Sequence, residues 1–311
     1  MENIHERIIN EVEKVIRGKR EVIEKIMMAV MADGHVLLDD VPGTGKTTMA
    51  VSLSRALGVK YHRIQFTPDV LPSDIVGFSI YDKETGGFTY MPGIVTDTNL
   101  LLADEINRTS SRTQAALLEA MEENQVTVDG KVHPLEKPFT VIATQNQVGT
   151  AGTQLLPQAQ LDRFIVKLSI GYPDKDSQKE IIKERQDVNL LDRIQQVSDC
   201  ESVKKLQADT LAICMKDEII SYITDLVFES QNTELLELGI SPRGAVAVSH
   251  MSKARAVLNG RDYVVPEDVR DVFKDVCAHR IILTQKARAE HMTPEDVLDE
   301  MIKKVKVPFS V

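Results

Sequence analysis

An α/β fold with a mainly parallel sheet, followed by an all-α C-terminal domain, is predicted by three observations. Short apolar runs of strand length alternate with helix-period segments up to about Ile170. The runs are continuous rather than alternating, as in strands buried on both faces. Beyond Pro173 the pattern is helical almost throughout. The 311 residues suffice for a core of roughly 200 with a smaller domain attached. Residues 1–172 are therefore read as the α/β core and 173–311 as the helical domain.

Residues 2–32 read as two helical pieces broken at Ile16-Arg17-Gly18-Lys19, with Val22, Ile23, Ile26, Met27 and Val30 at helical spacing. The period then changes. His35–Asp39 is a short apolar run stopped by Pro42-Gly43-Thr44-Gly45, the pattern of a buried strand, a loop and a helix over 46–57. Residues 61–66 predict a second strand. The Pro-, Gly- and Asp-rich stretch 67–93 holds two short β-like runs, 78–81 and 87–90, which suit an inserted hairpin rather than core. Residues 99–104 predict the next buried strand and 113–123 an amphipathic helix. The alternation over 125–132 around Asp129-Gly130 predicts a second hairpin. Residues 139–143 and 164–168 complete the strands, and breaks at 239–244 and 265–268 divide the later helices.

Composition narrows the function. With 42% hydrophobic and 27% charged residues the chain can build an ordinary packed core. Trp is absent and aromatics are 5%, which argues against a base-stacking platform. A formal net charge of -10 and a pI near 5.3 oppose non-specific attraction to nucleic acid or an anionic membrane. Cys200, Cys214 and Cys277 are widely spaced with no Cys-x-x-Cys pair, so neither a disulfide framework nor a zinc site is indicated. The seven histidines are scattered without ligand spacing. The N-terminus carries charges where a secretory signal needs apolar residues, and no apolar run nears the ~20 residues of a membrane span. The cytoplasm is the expected location.

Pro42-Gly43-Thr44-Gly45-Lys46-Thr47-Thr48 lies between a strand and a helix, the setting of a phosphate-binding P-loop, or Walker A motif. Glycines let backbone N–H groups turn toward phosphate oxygens, and the helix N-terminus adds positive potential. Lys46 can bridge the β- and γ-phosphates of ATP, and the Thr47 hydroxyl can ligate Mg2+. The usual pattern has Gly where this chain has Asp40, so Asp39 and Asp40 bring two carboxylates to the loop. Facing the phosphates, either would weaken nucleotide binding. The apolar strand ending in Asp104-Glu105 supplies the Walker B element: Asp104 for the metal, Glu105 to polarise the attacking water. A dinucleotide site is excluded because Lys46-Thr47-Thr48 follows Gly45 where a third glycine is needed.

With those residues in place, the chain resembles the AAA+ ATPases, and specifically the MoxR family. The blocks are Gly34-His-Val-Leu-Leu, Phe66-Thr-Pro-Asp-Val-Leu-Pro-Ser-Asp74, Asp104-Glu-Ile-Asn-Arg108, residues 114–123, Ala143-Thr-Gln-Asn146, Gln160-Leu-Asp-Arg-Phe164 and Ser241-Pro-Arg-Gly244. The resemblance implies a five-stranded AAA+ core, a helical lid, and a hexameric ring with ATP held between neighbours. It implies that Asn146 is the sensor that positions the water with Glu105, and that Arg243 is the lid arginine that reads the γ-phosphate. Arg163 is similar to the arginine finger that reaches a neighbour's site, with Arg108 as its rival, and the segment at Gly18 to one that contacts adenine. The inserts at 75–93 and 125–135 resemble loops aimed at a pore or partner. The implied activity is Mg2+-dependent ATP hydrolysis that drives chaperone-like remodelling, maturation or metal or cofactor loading of a protein client, often one with a von Willebrand factor A domain. A nucleic-acid-stimulated motor and a nucleotide-binding scaffold with little turnover are the alternatives.

Overall fold

Apolar continuity sets the centre of the molecule. A computed structural model of the chain describes residues 3–41, 43–84, 86–145, 156–184 and 190–308. Helices α1 (Ile4–Glu13) and α2 (Arg20–Met31) come first. They are followed by β1 (Val36–Asp39), α3 (Lys46–Leu57), β2 (Tyr61–Gln65), α4 (Pro72–Val76), β3 (Gly77–Asp82), β4 (Gly87–Pro92) and β5 (Leu100–Asp104). After a 3-10 turn at Ile106–Arg108 come α5 (Ser111–Glu123), β6 (Gln125–Val128), β7 (Lys131–Pro134), β8 (Thr140–Gln145), α6 (Gln158–Leu161), β9 (Val166–Leu168) and α7 (Lys175–Glu184). A second 3-10 turn at Leu190–Arg193 leads to α8 (Cys200–Leu211), α9 (Asp217–Asn232), β10 (Leu236–Leu238), α10 (Pro242–Leu258), α11 (Pro266–Cys277), β11 (Ile282–Leu283), α12 (Gln285–Ala289) and α13 (Pro294–Lys304).

Two compact units are interleaved in sequence rather than divided at one point. The first takes Met1–Met27, His35–Arg163 and Leu168–Lys204, and the second Met28–Gly34, Phe164–Lys167 and Lys205–Val311. Five strands form the main sheet in the order β2-β5-β8-β1-β9, with β2–β5, β5–β8 and β8–β1 all parallel. The side chains of Val36, Leu37, Leu38, Leu101, Leu102 and Ala103 are wholly buried, as strands covered on both faces require. Each buried leucine contributes about 1.5–3 kcal/mol. Helix α1 presents Ile8, Ile9 and Val12 to the interior and packs against α3.

Parallel pairing brings the carboxyl ends of β1, β5 and β8 to one edge, where open α/β sheets place their ligands. Asp39 is in register with Gln145, and Ala103 with Ala143, so Asp104 and Thr144 lie side by side near the ends of adjacent strands. Both inserts are hairpins, β3–β4 and β6–β7. In the second, Asp129 and Gly130 both take positive φ, +50° and +75°, which is the two-residue turn that Asp-Gly favours.

In the second unit, α9, α10, α11 and α13 pack around Tyr222, Leu226, Val248, Met251, Phe273, Leu298 and Met301. Pro242 opens α10 behind Ser241, whose Oγ accepts from the Gly244 N–H at 3.1 Å. The sequence pattern predicts helix almost throughout this region. The structure adds a small antiparallel pair, β10–β11, with Leu236 opposite Leu283. Just beyond α11, the buried Arg280 donates to the Phe164 and Ile165 carbonyls at 2.7 and 3.2 Å. Among the described residues no helix is long and apolar enough to cross a membrane.

Candidate nucleotide-binding and catalytic site

The loop between β1 and α3 is shaped by two left-handed glycines. Gly43 has φ +85° and Gly45 φ +92°, angles that strain any side-chain-bearing residue, and an added Cβ at either would meet nothing within 4 Å. Open space above a left-handed loop that leads into a helix N-terminus fits an approaching anion: the first backbone N–H groups of α3 have no intrahelical acceptor and point that way. Thr47 is exposed and Thr48 half-buried on this first turn. Lys46 is buried, and its Nζ donates to the Asp40 carbonyl at 3.0 Å and the Val41 carbonyl at 3.4 Å. The ammonium therefore lies over the loop itself. Pro42 falls outside the described residues.

Asp40 is turned away from that space. Its Oδ1 accepts from Ser169 Oγ at 3.0 Å and from the Gly171 N–H at 3.1 Å, and its Oδ2 from the Ile170 N–H. The side chain is almost fully buried. A carboxylate with three donors in fixed positions is satisfied where it stands, so it anchors the base of the loop to the segment after β9 instead of repelling phosphate.

The second half of the site is a closed polar circuit on β2, β5 and β8. Thr144 Oγ1 donates to Asp104 Oδ1 at 2.6 Å and accepts from the Glu105 N–H at 2.8 Å. Arg63 Nη2 donates to Asp104 Oδ2 at 2.7 Å and to Gln65 Oε1 at 2.7 Å. Gln65 Nε2 then donates to Glu105 Oε2 at 2.8 Å, an oxygen that also accepts from Arg108 Nη1 at 2.8 Å. The strand register explains the juxtaposition: Gln65 is paired with Asp104, and Arg63, two residues earlier, projects from the same face. Glu105 itself has φ +57°, a left-handed conformation that is uncommon outside glycine and is held here by the bond to Thr144.

The remaining sequence-predicted residues are dispersed. Arg163, after α6, donates through Nε to Glu122 Oε2 at 2.9 Å and through Nη1 to the Ala159 carbonyl at 2.8 Å. Arg243 is exposed at the start of α10 in the second unit. Asn146 lies outside the described residues. Gly18 has φ +68°, and a Cβ there would stand 2.5 Å from Ser177 Oγ. It lines a cavity of about 300 Å³ together with Asn10, Glu13, Lys14, Arg17, Ser177 and Glu180.

Sequence reasoning missed Arg63, Gln65 and Thr144 as members of the site. Alternation along 61–65 is the one local signal for the first two, and it gains meaning only once β2 is known to neighbour β5. Chemically, the loop offers oriented N–H donors and an ammonium for phosphate groups, with one carboxylate to hold a divalent cation and a second beside it to orient water. The donor set fits a Mg-nucleotide: oxygen ligands only, at Thr47 and Asp104.

Residues 35–166 match the ATPase family associated with various cellular activities (AAA), and residues 229–301 match the AAA lid domain. The Bacillus subtilis protein YeaC is 42% identical over 97% of this chain and 94% of its own. Chaperone MoxR1 of Mycobacterium tuberculosis is 36% identical over 97% of this chain and 82% of its own, and Protein MoxR of Methylorubrum extorquens 30% identical over 89% and 87%. A crystal structure of a Cytophaga hutchinsonii protein superposes with a TM-score of 0.90 at 36% identity, covering 98% of this chain and 95% of that one. The P-loop, the paired carboxylates at the end of β5, the helical lid and these relatives lead to one assignment: the chain belongs to the MoxR family of AAA+ ATPases.

Proposed function

We propose that this ATPase couples Mg2+-dependent ATP hydrolysis to chaperone-like remodelling of a protein client. The observation that carries the reading is the convergence, on one edge of one sheet, of the open P-loop ending in Lys46 and the Asp104-Glu105 pair. Lys46 and the N–H groups of α3 would hold the β- and γ-phosphates, while Thr47 and Asp104 would hold a divalent cation, which would supply neutralisation of phosphate charge. Glu105, with Asn146, orients a water for attack on the γ-phosphorus. A new oxygen–phosphorus bond forms, the bond to the β-phosphate oxygen breaks, and ADP, inorganic phosphate and the water's proton are the products. Arg243 reads the γ-phosphate from the lid, and the segment at Gly18 contacts adenine.

Two arginines compete for the role of finger in a neighbour's site within a hexameric ring. Arg163 is our choice, with Arg108 as its rival. Its partner Glu122 is a surface group, and such pairs are worth only about 0–1 kcal/mol, so the guanidinium can be redirected at little cost. Arg108 is held by Glu105 of its own chain.

A protein client is supported by the β3–β4 hairpin, where Phe78, Ile80, Tyr81, Phe88 and Met91 are all exposed, Phe88 by 70%. Scattered exposed apolar residues are ordinary, but by strand alternation Phe78, Ile80 and Met91 share one face of the hairpin and Tyr81 and Phe88 the other, and such clusters suit an apolar partner. The client's class extends, on the same reading, to proteins with a von Willebrand factor A domain that are matured or loaded with metal or cofactor, in the cytoplasm.

Steady-state ATP hydrolysis as a function of protein concentration tests the reading. Specific activity is expected to rise cooperatively with concentration, and Glu105→Gln and Arg163→Ala are each expected to lower it by at least about 10³-fold. Activity independent of concentration and of Arg163 would remove the shared-site ring. Binding without turnover would leave the nucleotide-dependent scaffold.

A further inference from the structure

We infer that Arg63 is a positioning residue that stands in for the metal's charge at Asp104 and reports the metal's arrival to Glu105. The inference rests on the ATPase reading above and concerns a residue to which the motifs assign no role.

Both oxygens of Asp104 are engaged. Oδ1 is held by Thr144, and Oδ2 by Arg63 through Nη2 at 2.7 Å and Nε at 3.3 Å. The Asp104 side chain is 12% exposed and that of Arg63 44%. A nearly buried carboxylate without a counter-charge is costly, and Arg63 supplies one from the solvent side, where it can swing away. A divalent cation taking Asp104, directly or through a bound water, meets a guanidinium already on Oδ2. Two cations cannot share that oxygen without repulsion, so the arrival of one weakens the hold of the other.

Arg63 does not act on Asp104 alone. The same Nη2 donates to Gln65 Oε1. A guanidinium has only donors and a carboxylate only acceptors, so Gln65 must turn its oxygen to Arg63 and its NH2 to Glu105. Arg63 thereby fixes the amide orientation that binds Glu105 Oε2. When Asp104 gives up Arg63, Gln65 loses the partner that sets its amide, and its hold on Glu105 loosens. Metal arrival and the hold of Gln65 on the water-orienting carboxylate are thus linked within one chain, through Asp104, Arg63, Gln65 and Glu105, while Arg108 stays on Glu105 Oε2.

The test is binding of a fluorescent ADP derivative, titrated with Mg2+, to the wild type, Arg63→Gln, Arg63→Lys and Gln65→Ala. Removing the charge in Arg63→Gln is expected to lower the Mg2+ concentration for half-maximal binding about three- to tenfold, the range for a unit charge lost at a partly solvated site. Nucleotide affinity in EDTA stays within about twofold, because the phosphate loop is untouched. Arg63→Lys keeps the charge but not the planar fork. It is expected to restore the wild-type Mg2+ midpoint, with turnover still reduced because lysine lacks the Nε contact to Asp104 and the fixed plane that aims Nη2 at Gln65. Gln65→Ala is expected to change turnover without moving the midpoint. Thermal denaturation of each variant separates these effects from misfolding. An unchanged or raised midpoint in a folded Arg63→Gln, with the wild type binding normally, overturns the inference and leaves the ATPase standing. A wild type that binds no nucleotide with Mg2+ overturns both.

Discussion

At the scale of single residues, Asp40 shows how a departure from a motif acquires a purpose. Glycine at that position leaves the loop's base free. Here a buried carboxylate collects Ser169 Oγ and two backbone N–H groups and fixes that base to the chain leaving β9. Asp40→Ala leaves those donors unsatisfied in a buried place, so it is expected to cost about 1–3 kcal/mol in urea denaturation and to weaken nucleotide binding together with stability. A variant with lowered stability and unchanged nucleotide affinity would show that the anchor serves the fold alone. Contiguous residues were legible from sequence: the P-loop needs only neighbours in the chain, and its two glycines have the left-handed angles that the motif demands. Whether Asp40 faced the phosphates was not legible, because its partners lie about 130 residues away.

At the scale of elements, the strands that were easiest to read are those with the most burial, β1, β5 and β8. Their continuous apolar runs leave no other placement. The pair β10–β11 was invisible because strands of three and two residues are too short to carry a period. Arg63 and Gln65 were hidden for a different reason: a one-residue change in register would send both to the opposite face, and register is a property of the sheet.

The end of α11 supplies a pH dependence. His279, fully buried and bonded to the Phe164 carbonyl at 3.0 Å, has its imidazole held well below the ordinary range, first by burial and then by the adjacent Arg280 guanidinium. Burial lowers His5 and His250 as well. A base with a lowered folded value binds fewer protons folded than unfolded. Its stabilising effect is complete above the ordinary value near 6.5 and is lost as pH falls below it. The urea midpoint is therefore expected to fall between about pH 7.5 and 5.5, and His279→Gln to flatten that slope. The lowered carboxylates Asp97, Asp174, Asp199 and Asp296 act with the same sign in a more acidic window, because their ordinary value lies near 3.8. A slope unchanged in the variant would mean that other groups carry the titration.

At the scale of the whole molecule, the net charge of -10 bears on the choice between motor classes. A machine that tracks nucleic acid neutralises phosphates and responds steeply to salt. An acidic one meets repulsion. Duplex DNA is expected to leave the ATPase rate unchanged even at about 50 mM salt, where such stimulation is strongest. A DNA-stimulated rate that declines with added salt would restore the translocating motor. Family membership was readable from the order of many short blocks along the chain, since each block is weak and their sequence is not. The proposed ring and client class rest on the resemblance alone, because they depend on surfaces presented to other chains.

Thr144 carries one more consequence. A hydroxyl has a single hydrogen, and here it goes to Asp104, so the oxygen is left to receive the Glu105 amide. Only one rotor position meets both demands, and the threonine methyl limits the side chain's other options. The group therefore works as a pin with one seat: a shift of Asp104 or of the Glu105 backbone unseats it, and the two are kept in step by a single hydroxyl.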